Sequence, residues 1–129
     1  MNKLSDEILK KKYDKIYNNF IKGDYLDVIK ECNEVLKKRK HQLFFNLLCF
    51  TYQKIGKIEK SIDVMNEALT LNPEHPNFLN NLGTCYYMLH KFSEAEKIFK
   101  KGLEIDNNHL HILNNLGNLK RETYKVEES

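Results

Sequence analysis

Asn80-Asn81-Leu82-Gly83 returns one period later as Asn114-Asn115-Leu116-Gly117. The rest of the chain falls into step around that pair. Lys57-Ile58-Glu59-Lys60-Ser61, Lys91-Phe92-Ser93-Glu94-Ala95 and Lys125-Val126-Glu127-Glu128-Ser129 recur at the same interval. Leu71-Asn72-Pro73-Glu74-His75 is echoed by Ile105-Asp106-Asn107-Asn108-His109. A more diverged copy comes first, with Gly23-Asp24-Tyr25-Leu26-Asp27-Val28 lying one shorter period before Gly56-Lys57-Ile58-Glu59-Lys60-Ser61. The period is about 34 residues, and a fixed step of this size marks a stack of like supersecondary units. The chain is read as a single array over 1–129, with repeats at about 9–41, 42–75 and 76–109 and a partial one over 110–129.

Each complete repeat reads as two helices. Phe45, Leu48, Cys49, Tyr52 and Ile55 follow the i, i+3, i+4, i+7 rhythm of one helical face, and Gly56 marks a turn. Ile62, Met65, Ala68 and Leu69 form the face of a second helix, which Asn72-Pro73 stops. The third repeat does the same with Leu79, Leu82, Gly83 and Tyr86, then Ala95, Ile98, Phe99 and Leu103. The first helix starts near Ser5, an N-cap residue followed by Asp6 and Glu7. Cys49, Gly83 and Gly117 share one small-residue position, and Ser61 and Ala95 share another. Small side chains let helix axes approach closely, and Tyr52, Tyr86, Met65 and Phe99 fill the space around them. One hairpin cannot bury its apolar face alone, so the expected fold is all-α, a right-handed α-solenoid of about three and a half antiparallel hairpins.

Leu82-Gly83, Tyr86, Ala95 and Phe99 in the third repeat, and Leu48, Tyr52, Ala68 and Pro73 in the second, resemble the tetratricopeptide (TPR) repeat. The first repeat keeps Gly23, Tyr25 and Val28, but Lys12 and Lys15 fall where apolar residues belong, and its helix uses Tyr13, Ile16, Tyr17 and Phe20. The resemblance implies a protein-binding scaffold without catalytic activity or cofactor. It names no partner.

In such a stack the first helices line a concave groove. The candidate groove residues are Asn77, Asn80, Asn81 and Thr84, with Met88 beyond them, and His111, Asn114, Asn115 and Asn118 in the partial repeat. The second repeat supplies Asn46 and Phe50, beside Leu43 and Leu47. An amide donates and accepts at once, so recurring Asn81 and Asn115 could grip the backbone of an extended peptide. This is similar to the asparagine ladder in the repeat domain of O-linked N-acetylglucosamine transferases. The plainer alternative is that asparagine, common in Asn- and Lys-rich proteomes, simply solvates the face. Leu43, Leu47 and Phe50 either form an apolar pocket or pack on Tyr17 and Phe20. The clamp by which related repeats hold chaperone C-termini needs Lys and Asn on the first helix, Asn on the third, and Lys and Arg on the fifth. Tyr13, Tyr17, Leu47, Asn77 and Asn81 stand there instead, so that mode is rejected.

Other classes find little support. A net charge of +3 with 18 acidic residues interspersed among 21 basic ones gives no concentrated nucleic-acid-binding face. Lys37-Lys38-Arg39-Lys40 reads as a helix C-terminus, where cations suit the macrodipole. No apolar run approaches the ~20 residues that span a bilayer. Cys32, Cys49 and Cys85 are far apart and odd in number, which points to reduced thiols in the cytoplasm. His41, His75 and His109 recur at one repeat position, but repeats lie on the order of 10 Å apart. They could not share an ion held at ~2 Å. No metal site or catalytic constellation is expected.

Lys125–Ser129 aligns with the start of a second helix, leaving Leu113, Leu116 and Leu119 of the last helix, over about Leu110 to Thr123, partly uncovered. An exposed apolar face of this kind marks a contact. The expectation is either self-association through the open C-terminal end or a fragment of a longer array. In the second case the alternative to a scaffold is the N-terminal arm of a larger enzyme, such as a glycosyltransferase or sulfotransferase, since TPR arrays often precede such domains.

Overall fold

A computed structural model of the chain describes residues 5–128. They form α1 (Asp6–Lys22), α2 (Tyr25–Lys38), α3 (Gln42–Lys54), α4 (Ile58–Leu71), α5 (Pro76–Met88), α6 (Phe92–Ile105) and α7 (Leu110–Glu128). No strand occurs among the described residues. Contacts group the chain into two compact units, and the division falls inside α4 between Val64 and Met65.

Local chemistry sets where the helices begin. The Ser5 hydroxyl accepts the N–H of Ile8 at 3.2 Å, so α1 starts at the expected cap. The recurring histidines stand in the same role. Nδ1 of His41 accepts the N–H of Leu43 at 3.1 Å, that of His75 accepts from Phe78 at 3.4 Å, and that of His109 accepts from Ile112 at 3.2 Å. Each imidazole thereby satisfies one of the N–H groups that a helix start leaves without a partner. Their recurrence at one repeat position reflects helix entry, a role that spacing alone does not reveal.

The turns follow a similar rule. Gly23 and Gly56 take φ of +87° and +80°, the left-handed conformation that costs a glycine nothing. His90, one repeat after Gly56, adopts φ +60° without being glycine. The next equivalent is Tyr124, and here the chain departs from expectation. α7 passes through Tyr124 as unbroken helix and runs on to Glu128, with no turn before Lys125. A bulky aromatic residue resists the left-handed region, whereas helical φ and ψ keep its backbone hydrogen bonds.

In the first unit, Leu9, Ile16, Val28, Cys32, Phe44, Phe45 and Leu48 are buried among α1, α2 and α3. Tyr13 stacks beside Tyr17 with centroids 5.8 Å apart and meets Phe44 edge-on. Burial raises the Tyr13 phenol above its usual range, with neighbouring Tyr17 adding to the effect. The Ser61 hydroxyl donates to the Cys49 carbonyl at 2.8 Å, so the two small-residue positions touch. Cys32, Cys49 and Cys85 are free and buried, and burial pushes the Cys32 thiol up to about 12.

The second unit shows why small residues are needed. A methyl group on Gly83 would lie 2.5 Å from the Phe99 ring of α6, so only glycine admits that ring. A methyl on Gly102 would lie 2.5 Å from the end of the Ile112 side chain. Gly102, standing where the repeat pattern has alanine, therefore seats α7. The buried face of α7 is Ile112, Leu116 and Leu119, packed with Ala95 and Phe99. Of the three leucines expected to be partly uncovered, Leu113 is 43% exposed, whereas Leu116 and Leu119 are buried, because the i, i+4, i+7 stripe that packs runs through Ile112.

Glycine substitutions should rank by what the new methyl meets. Gly83→Ala should destabilise the fold by about 1–3 kcal/mol, because a rigid ring must move. Gly102→Ala should cost less, since only a flexible chain end is displaced. Gly117→Ala, whose new methyl meets nothing within 4 Å, should stabilise by up to about 1 kcal/mol through helix propensity. Urea denaturation of the three variants checks the order. The His75 cap should also make stability depend on pH. Burial holds the His75 imidazole below its ordinary 6.5, so the unfolded chain takes up that proton more readily. Its contribution is complete above about pH 6.5 and is lost as pH falls through the lowered value. Melting temperature should drop on acidification to about pH 5, and His75→Asp, whose carboxylate remains an acceptor there, should flatten the drop.

Candidate functional site

The candidate groove residues fall on α3, α5 and α7, and the structure sorts them by what their side chains already do. In the second unit α5 and α7 lie against each other. The Asn115 amide donates from Nδ2 to Asn80 Oδ1 at 2.8 Å and to Thr84 Oγ1 at 3.4 Å. Thr84 in turn donates its hydroxyl to the Asn80 carbonyl at 2.8 Å. Asn80, Thr84 and Asn115 thus form one polar cluster, each half-buried. Its hydrogen bonds hold the amides in one orientation. Asn115 keeps its Oδ1 as an acceptor and Asn80 its Nδ2 as a donor, the complement of a peptide unit.

A second link lies nearer the start of α5. His109 Nδ1 is occupied by the Ile112 N–H, so its proton sits on Nε2, which donates to Asn77 Oδ1 at 2.6 Å. His109 was not among the expected groove residues. Its recurrence with His41 and His75 was the available signal, and helix capping accounts for that recurrence. His111 and Asn114 are exposed, and His111 lies beside His109 with ring centroids 5.9 Å apart. Asn118 is exposed and accepts from Arg121. Thr84, Tyr87, Phe99, Asn115 and Asn118 line a small hollow of about 70 Å³.

Asn81 stands apart. It is only 7% exposed. Asn80 and Asn81 are successive residues, and about 100° of helix rotation takes Asn81 off the α7 side that Asn80 occupies. The exposed amides of this face are therefore Asn77, Asn114 and Asn118, with Asn80 and Asn115 between them.

In the first unit, Asn46 is half-buried and Phe50 is 42% exposed on α3. Of the apolar trio, Leu47 is buried at 2% exposure, while Leu43 remains nearly as accessible as Phe50. Tyr17 on α1 is 41% exposed and stacks on Phe20 at 5.9 Å. Leu47 thus belongs to the core, and Leu43 and Phe50 form the accessible apolar part of that face. Among the described residues no group of three His, Cys, Asp or Glu side chains could hold a metal ion, and no helix is long and apolar enough to cross a membrane.

Residues 10–125 match a family model described as the Psidin N-terminal TPR repeats region. A comparison with curated proteins gave no match. Among solved structures, the first TPR domain of Spaghetti (RPAP3), bound to the HSP90 peptide SRMEEVD, superposes with a TM-score of 0.79 at 18% identity, covering 96% of this chain and 99% of that one. The Sgt2 TPR domain from Aspergillus fumigatus gives 0.81 at 16% identity, over 93% and 82%. The Yersinia enterocolitica secretion chaperone SycD, in complex with a peptide of the translocator YopD, gives 0.79 at 19% identity, over 99% and 100%. At these identities the likeness establishes the fold, an all-α, TPR-like helical solenoid.

The burial pattern carries its own prediction. Asn81→Ala should destabilise the chain by about 1–3 kcal/mol, by removing a buried polar group from partners left behind. Asn114→Ala, on an exposed face, should stay within about 0.5 kcal/mol of the parent. Chemical denaturation of both variants separates an interior asparagine from a surface one.

Proposed function

The chain belongs to the family of the Psidin N-terminal TPR repeats region, and from that premise we propose that it is a non-catalytic module that binds protein, holding an extended peptide or a helix on the faces of its first helices. The observation that carries this reading is the Asn80–Thr84–Asn115 cluster. An amide pair held in place by its own hydrogen bonds loses little further freedom on binding, so more of each new bond appears as affinity. It offers one donor and one acceptor to a passing backbone and is indifferent to the ligand's side chains. Asn77, Asn114, Asn118 and His111 extend the polar face on either side, above the hollow lined by Tyr87 and Phe99. In the first unit, Asn46, Leu43 and Phe50 offer a mixed apolar and amide surface suited to a ligand side chain. Two proteins of the same fold are described with peptides bound, which supports peptide as the ligand class. The three free, buried cysteines suit a reducing, cytoplasmic setting. Neither nucleic acid nor membrane is a partner in this reading.

The ligand differs from the acidic C-termini held by a carboxylate clamp. Leu47, at one clamp position, is buried, and Asn77 and Asn81 stand where cationic side chains would be needed. A displayed library of extended peptides selected on the parent chain supplies the probe. Asn80→Ala with Asn115→Ala should leave helicity unchanged and weaken the selected peptides by roughly tenfold or more. The peptide SRMEEVD should not be retained. Equal binding by parent and double variant would overturn the amide site, and tight binding of SRMEEVD would restore the clamp.

A further inference from the structure

The amide pair reads main chain alone, and the hollow beside it offers a means of telling side chains apart. Thr84 and Asn115 belong to both, so the hollow opens directly at the cluster. Tyr87 and Phe99 are its apolar lining. Phe99 is fully buried and forms the inner wall, and Tyr87 is held edge-on against Phe92 at 5.6 Å. The polar lining is largely committed. The Thr84 hydroxyl donates to the Asn80 carbonyl and lies 3.4 Å from the Asn115 amide nitrogen, and Asn118 Oδ1 accepts from Arg121. Size sets a second limit. The hollow holds about 70 Å³, under half of the ~150 Å³ that admits a benzene ring, while a water molecule takes ~30 Å³. Roughly two to three heavy atoms fill it, and an aromatic ring does not fit.

We propose that this hollow is a side-chain subsite that selects a short branched aliphatic residue, valine first, from an extended peptide whose main chain lies on Asn80 and Asn115. The inference rests on the peptide-binding reading and adds the ligand chemistry that reading leaves open. Successive side chains of an extended chain point to opposite sides, at ~3.3 Å per residue. A peptide unit paired with Asn80 and Asn115 therefore turns one flanking side chain toward the helices and the next away. An isopropyl group matches the size of the hollow, and branching at Cβ suits the extended backbone that carries it. Threonine has the same shape. Its hydroxyl would leave water for a place where the Thr84 hydroxyl already gives its proton to Asn80, and a polar group moved without a new partner is disfavoured. Leucine and phenylalanine exceed the volume, and alanine leaves part of it empty.

Peptides selected on the parent chain should share valine at one position. The tightest of them is the probe, resynthesised with Thr, Ala, Leu or Phe at that position. Each change should weaken binding by about tenfold or more in isothermal titration calorimetry, and saturation with the valine peptide should move the amide NMR signals of Thr84, Tyr87 and Asn115. Asn118→Ala, on the exposed rim, widens the hollow without disturbing buried packing and should shift the preference from valine to leucine. Binding that depends on Asn80 and Asn115 yet accepts threonine, leucine or phenylalanine at every position overturns the subsite and leaves the amide site standing. So does a valine preference that Asn118→Ala does not move, since valine would then be read elsewhere. Failure to select any peptide, or binding indifferent to Asn80→Ala with Asn115→Ala, overturns the peptide-binding reading and the subsite with it.

Discussion

Phe99 lies on Gly83, and the packing of the second unit depends on that contact. A side chain at position 83 would hold α6 away from α5. Ala95 and Phe99 would then lose the surface on which Ile112, Leu116 and Leu119 of α7 pack. Gly102 repeats the device one helix later, admitting the end of Ile112. In this unit α6 and α7 are each positioned by an absence of side chain on a neighbouring helix. The first unit solves the same problem with Ser61, whose hydroxyl donates to the Cys49 carbonyl and so tolerates a side chain at the glycine position.

The recurrence of small and large residues made the hairpins readable from sequence. Both kinds of position are forced by close approach, and the constant repeat step imposes the same forcing again and again. Ser5 was readable for a similar reason, since few residue types can accept a helix-start N–H. Less was readable about the candidate site. Periodicity places residues on a helix to within roughly one position, and at that resolution Asn80 and Asn81 look alike. Only packing shows that one meets α7 and the other is buried. The same uncertainty exchanged Ile112 for Leu113. The histidines illustrate a different limit. Their recurrence was plain, but histidine is an uncommon cap residue, and nothing in the sequence separates a ring that accepts a backbone N–H from one that meets a ligand. The continuation of α7 through Tyr124 was hidden because Lys125–Ser129 matches the start of a second helix so closely.

Turn chemistry and helix chemistry compete at residues 23, 56, 90 and 124. Glycine at the first two makes the left-handed conformation easy, and histidine at the third tolerates it. Tyrosine at the fourth tips the balance toward helix, and α7 runs through it to Glu128. The residue type at this one repeat position thus decides whether the chain turns or continues as helix.

The bond from Asn115 to Asn80 has a meaning beyond the candidate site. The side chains α7 contributes to its apolar contacts, Ile112, Leu116 and Leu119, are aliphatic, and apart from the fit of Ile112 at Gly102 they set alignment along the helix axis less sharply than directional bonds. Hydrogen bonds do not tolerate sliding. Moving α7 by a single residue turns it through about 100°, which would strand the Asn115 amide and part His109 from Asn77. These two polar links act as a register pin, joining the Ile112–Gly102 fit in fixing which rung of one helix meets which rung of the next.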